Sequence, residues 1–154
     1  MSFTYATPVR FSDIDHAGIV YYPRFFHLFH LAFEELWRAR IGPRAYSELI
    51  DREHVGFPCV RAECDFKAPL RFGDTAEIEV SVTRLGARSI TFRYRVYRAE
   101  DGAATRHAVD DQPRALCAEG TVVCAVVDLA RFVAIKVPER VVTMLADLVE
   151  TPSL

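Results

Sequence analysis

Asp13 and Asp15 stand just ahead of His16, Gly18, Tyr21, Tyr22 and Pro23, and from Pro23 onward the chain turns almost wholly apolar. A carboxylate a few residues before a helix, with a glycine between them for a sharp turn, can do acyl chemistry. A helix start offers backbone N–H groups without intrahelical partners and a partial positive charge, which suit an oxygen gaining negative charge. A carboxylate beside it can attack a carbonyl or activate a water to do so. The pair is the minimum equipment for hydrolysing an activated acyl compound. Asp15 could equally be a capping or turn residue that only favours the helix dipole. Asp13 reads as structural, holding the loop.

Other reactive side chains point less sharply. His16 adjoins Asp15, where it can touch a substrate, tune the carboxylate or simply face solvent. His27 and His30 fall one helical turn apart, and His30 is a candidate for lining a pocket, with ordinary packing as the plainer alternative. Tyr21 and Tyr22 read as packing side chains, so any chemistry at Tyr22 belongs to its backbone N–H. Glu34 and Glu35 lie in an apolar helix, where acids need partners or a solvated face. They are expected to be solvated or salt-bridged. Cys59, Cys64, Cys117 and Cys124 show no C-x-x-C spacing and no His at ligand spacing. They read as reduced, partly buried structural thiols of a cytosolic protein.

The elements that must position these residues follow from periodicity. Phe3–Phe11 reads as a strand. From Pro23 to about Arg40, Phe25, Phe26, Leu28, Phe29, Ala32, Phe33, Leu36 and Trp37 cover far more than one narrow stripe, so a helix ~27 Å long is expected to be enclosed. Proline suits its first position, and Gly42-Pro43 ends it. A second short helix is expected over about Pro43–Glu53. Three period-2 strands follow, through Val60, Ala62, Cys64 and Phe66, then Ala76–Val82, then Ile90–Val96, each with one buried and one polar face. Gly73-Asp74 and Gly86 mark turns. Ala115–Val127 is apolar enough for a central strand, residues 100–113 read as an exposed loop, and Pro138–Leu148 as a closing helix. The class is α+β: one long enclosed helix against a curved antiparallel sheet of about five strands.

With 154 residues, about half apolar, the chain forms a single domain over 1–154 with a real core. A net charge of −2 argues against a general nucleic-acid binder. Charged residues or His interrupt every apolar run before the ~20 residues of a membrane span, and no secretory signal is visible. A cytoplasmic protein without nucleic-acid or membrane partners is expected.

The stretch Asp13-x-Asp15-x-x-Gly18-Ile19-Val20-Tyr21-Tyr22-Pro23 and the apolar helix after it resemble the 4-hydroxybenzoyl-CoA thioesterase family of hotdog-fold acyl-CoA hydrolases. Gly56-Phe57-Pro58, Phe66-Lys67-Ala68-Pro69-Leu70 and Gly73-Asp74 extend the resemblance over roughly residues 5 to 140. It implies a hotdog fold, with Asp15 as the catalytic acid, Gly18 in the catalytic turn and the Tyr22 backbone N–H polarising the thioester carbonyl. His16, Tyr21, His30 and Phe57 are the candidate substrate contacts beside them, and the resemblance implies basic residues in the hairpin at Gly86, Arg84 and Arg88 here, for the phosphates of coenzyme A. His16 departs from the pattern, since relatives often carry a small residue or proline there. No metal or other cofactor is implied, the coenzyme A thioester being the substrate. Active sites would lie where two subunits pack sheet edge to sheet edge, with homodimers pairing into homotetramers. The expected acyl group is aromatic and benzoyl-like, or a short to medium chain. Two alternatives stand beside this: a thioesterase of the same fold acting on acyl carrier protein, and a non-catalytic acyl-CoA-binding module. A different branch of the fold would place the carboxylate at Glu34 or Glu35.

Overall fold

The computed structural model describes residues 1–99 and 114–151, so the loop expected at 100–113 lies outside the described residues. The first strand, β1 (Phe3–Pro8), leads through a short 3-10 turn to α1 (Arg24–Arg40) and α2 (Ala45–Asp51). Then come β2 (Val55–Gly56), β3 (Cys59–Phe66), β4 (Thr75–Leu85), β5 (Ser89–Arg98), β6 (Ala115–Ala125), β7 (Val127–Asp128), β8 (Val133–Ala134) and α3 (Glu139–Leu145). Among the described residues, five strands form the main sheet in the order β1-β4-β5-β6-β3, every pairing antiparallel.

Alternation decides what each strand buries. Ala76, Ile78, Val80 and Val82 of β4, with Ile90, Phe92, Tyr94 and Val96 of β5, turn to one face and are almost wholly removed from solvent. α1 lies against that face: Phe29 stacks on Tyr94 at 4.8 Å and Phe33 meets Phe92 edge-on at 5.5 Å. Gly120 of β6 makes this approach possible, because a Cβ there would sit 2.3 Å from Phe29 Cε2. The other face is polar and laced with ion pairs, Arg93 to Glu150 and Arg95 to Glu79 and Glu119. Ser81 is nonetheless buried on it. The chain end crosses there, the Glu150 N–H donating to the Val82 carbonyl and the Ser81 hydroxyl to Glu150.

The structure departs from the sequence reading in several places. α1 begins at Arg24, with Pro23 as its cap, and α2 is shorter than Pro43–Glu53. Only Glu139–Leu145 of the closing segment is α-helix, the next three residues tightening into a 3-10 turn. A second sheet, β2-β7-β8, was not foreseen, because two-residue strands carry no readable period. The clearest correction concerns β3. Expected to bury one face, it is exposed along nearly its whole length, since it lies at the rim of the sheet with one edge unpaired among the described residues. A register shift between Cys59 and Arg61 also breaks the expected alternation, leaving Val60 64% exposed and turning Cys59 toward α1.

Candidate active site

The Asp13–Pro23 stretch folds into a tight loop pinned from both ends. Asp13 is only 6% exposed, and its carboxylate accepts from the Arg10 N–H at 2.8 Å and from Arg24 Nη2 at 2.8 Å. Its carbonyl accepts the Tyr21 N–H at 2.9 Å. Asp13 thus ties the strand end before the loop to the first turn of α1 after it, the structural role expected.

Asp15 sits at the tip. Its carbonyl accepts the Gly18 N–H at 3.0 Å, its own N–H donates to the Ile19 carbonyl at 3.0 Å, and its Oδ1 accepts the Ala17 N–H at 2.8 Å. Gly18 adopts φ +81°, a left-handed conformation that glycine enters without the penalty of a Cβ. The side chain is thereby oriented by its own turn through one oxygen, while Oδ2 accepts nothing among the described residues.

At the start of α1 the amides sort themselves. Arg24, Phe25 and Phe26 donate to the carbonyls of Tyr21, Tyr22 and Pro23, closing short turns, and Pro23 has no N–H. The Tyr22 N–H donates to no group among the described residues. It stands beside an open apolar groove of about 440 Å³ lined by Ile19, Val20, Tyr22, Phe25, Phe66 and the run from Lys67 to Arg71. An unpaired amide at a helix start, oriented in advance, is a donor suited to a developing oxyanion.

A second hollow, of about 210 Å³, lies farther along α1. Phe26, Phe29, His30 and Phe33 line it from the helix, Phe57, Cys59 and Ala62 from around the start of β3, with Tyr46 of α2, Tyr94 of β5 and Val122 and Cys124 of β6. Phe33, Tyr46, Phe57 and Trp37 pack there with ring centroids 5.3–6.5 Å apart. Burial raises the Tyr46 phenol, helped by Glu34, lifts Tyr94 well above its ordinary value, and pushes the Cys124 thiol up to about 12. These groups are therefore neutral near pH 7. His30 also lines the pocket, its Nε2 3.1 Å from Glu34 Oε1. Glu35 pairs with Arg38, so both helix acids have the partners expected of them.

The sequence-derived candidates divide accordingly. Tyr22 lines the groove, and His30 and Phe57 line the aromatic pocket. Asp15 and Gly18 form the loop leading to the groove but line neither hollow; His16 is exposed beside them, and Tyr21 is an exposed ring packed on Tyr22. Arg84 and Arg88 are not brought to this loop within one chain. Pro8, just before it, pairs with Thr75 at one end of β4, whereas the arginines flank the turn where Leu85 pairs with Ile90 at the other. Tyr46, Cys59 and Cys124 escaped the sequence reading as pocket residues. Cys124 had a signal in the apolar run of β6, but the bulge that turns Cys59 inward had none.

Residues 9–145 match the family model of the thioesterase-like superfamily. A 1,4-dihydroxy-2-naphthoyl-CoA hydrolase of Nostoc punctiforme is 35% identical over 114 residues, covering 72% of this chain and 76% of that protein. The crystal structure of a 1,4-dihydroxy-2-naphthoyl-CoA thioesterase from Synechocystis shares the fold at a TM-score of 0.80, with 24% identity over 96% of this chain and 98% of that one. A gentisyl-coenzyme A thioesterase structure is similar at 29% identity and a TM-score of 0.73, over 90% of this chain and 98% of its own.

Proposed function

Because the chain belongs to the thioesterase-like superfamily, we propose that it hydrolyses aromatic acyl-CoA thioesters to the free acid and coenzyme A. The observation that carries this is the unpaired Tyr22 N–H beside the groove, with the Asp15 loop leading directly to it. The thioester carbonyl oxygen accepts the Tyr22 N–H, which stabilises the negative charge that builds as the carbon becomes tetrahedral. Asp15 acts either as the nucleophile, through a mixed anhydride, or as the general base that takes a proton from water. Collapse expels the coenzyme A thiolate.

The acyl ring occupies the aromatic pocket, with His30 and Phe57 contacting it. The relatives that act on naphthoyl and gentisyl thioesters support an aromatic group. Placement closer to the 4-hydroxybenzoyl-CoA thioesterases rests on the Asp13–Pro23 motif.

The assembly we propose is a homodimer formed by antiparallel self-pairing of β3, the dimers pairing into a homotetramer. The exposure of β3 and its free edge support it. Antiparallel self-pairing sets the Phe66 end of one strand beside the Cys59 end of the other. The Tyr22 groove of one copy then faces the aromatic pocket of its neighbour, and the Gly86 turn with Arg84 and Arg88 approaches from the neighbour to take the coenzyme A phosphates. The free thiols support a cytoplasmic enzyme.

Release of free thiol across a panel of acyl-CoAs, with wild type and Asp15→Asn side by side, tests the proposal. Asp15→Asn should lower kcat at least ~10²-fold with KM little changed. Near-normal turnover in that variant moves the carboxylate to Glu34 or Glu35; no turnover on any thioester by wild type rejects the hydrolase.

A further inference from the structure

The aromatic pocket contains two thiols for which the hydrolysis has no use. Cys59 and Cys124 both line it and oppose each other directly on β3 and β6. The Ala125 N–H donates to the Pro58 carbonyl at 3.0 Å, so Pro58 and Ala125 are a hydrogen-bonded pair and Cys59 and Cys124 the non-hydrogen-bonded pair next to it. Side chains of such a pair share a face, with Cα atoms about 4.5 Å apart. That lies within the roughly 4.4–6.8 Å a disulfide spans. Both thiols are free, Cys59 exposed and Cys124 buried.

We infer that Cys59 and Cys124 form a reversible disulfide in the wall of the aromatic pocket, made by a hydroperoxide, that shuts the pocket to the acyl group. The exposed Cys59 meets the oxidant first. Its sulfur attacks the O–O bond, taking one oxygen to become a sulfenic acid and releasing the alcohol, or water when the oxidant is hydrogen peroxide. The Cys124 sulfur then attacks that sulfenic sulfur, gives up its proton and expels water. Two thiols have lost two electrons to the peroxide, and a dithiol returns them. Burial holds the Cys124 proton tightly and so keeps Cys124 from reacting with the oxidant first; it attacks in the second step because the register sets it directly against the Cys59 sulfur. The bond draws the two Cβ atoms to about 3.8 Å and locks the rim strand to β6 within the pocket wall. Closure rests on this pocket being where the acyl ring sits; bond formation does not.

Wild type is treated with hydrogen peroxide, alkylated without reductant and mapped by mass spectrometry, with thioesterase rate followed in parallel. The expected result is a Cys59–Cys124 linked peptide, label on Cys64 and Cys117 only, and a rate loss that dithiothreitol reverses. Cys59→Ser and Cys124→Ser, whatever their starting rates, should show no dithiothreitol-reversible loss. Cys59 carried to sulfinic or sulfonic acid while Cys124 stays alkylatable overturns the inference, as does a bond between copies. A linked peptide with an unchanged rate overturns closure while leaving the hydrolase reading intact. If no thioester is hydrolysed, that reading fails and the peptide map still decides the bond.

Discussion

Asp13 and Asp15 share a residue type and a loop but differ in what holds them. Asp13 is buried, with both oxygens committed to Arg10 and Arg24, whereas Asp15 is fixed through one oxygen by the Ala17 N–H. Removing Asp13 should therefore cost folding before chemistry: Asp13→Asn lowers the midpoint of thermal unfolding, while Asp15→Asn leaves it nearly unchanged and acts on kcat. Gly18 belongs to the same scale. A Cβ there meets nothing within 4 Å, so the penalty of a side chain is backbone strain alone. Gly18→Val should destabilise by ~1–2 kcal/mol and Gly18→Asn by less, because asparagine tolerates the left-handed region. Thermal melts give the first difference. Turnover should fall further than stability in the valine variant, since the turn aims Asp15.

Among the elements, α1 depends on one missing side chain. Gly120→Ala places a methyl where Phe29 Cε2 lies, and overpacking of this kind costs about 1–3 kcal/mol. Chemical denaturation should show that loss, and Phe29→Leu added to Gly120→Ala should recover part of it. The other end of α1 is held by charge. Arg40 donates to the Met144 carbonyl at 2.8 Å and grips Asp147 through both Nη atoms, which holds that carboxyl below its ordinary value. A group whose value is lowered on folding contributes stability above its unfolded value and loses it as pH falls through the folded one. The stability difference between wild type and Asp147→Asn should be present at neutral pH and vanish as the solution is acidified below the ordinary aspartate range. A difference that persists in acid would mean the contact acts through packing alone.

At the scale of the molecule, the proposed assembly depends on β3. Its inward hydrogen bonds to β6 come from alternate residues: the Lys67 N–H donates to the Cys117 carbonyl, and counting back through the register leaves the Cys64 amide pointing to the free edge. Cys64→Pro deletes that outward donor without touching the ladder to β6, a substitution edge strands tolerate. Sedimentation should show wild type as a dimer or larger and the variant as smaller, with its thermal transition kept. Turnover should fall along with assembly, because in the proposed dimer the Asp15 loop and the aromatic pocket that serves it belong to different chains. A monomeric variant at full rate would mean each chain holds a complete site.

Much of this was legible in the order of residues. Periodicity separated α1 from the strands because a helix and a strand repeat apolar residues at different intervals, and Phe29, Phe33, Ile78 and Phe92 fall inward as that repeat requires. The acid–glycine–proline spacing marked the loop because turning sharply into a helix start demands those residue types locally. Partnership across the chain was not legible. That Asp13 would bond Arg24, that Cys59 would meet Cys124 across a bulge, and that Arg84 and Arg88 would lie at the far end of β4 from Asp15 all depend on strand order and register. Those are set by how whole faces pack together, a sum over distant contacts that no single stretch of sequence contains.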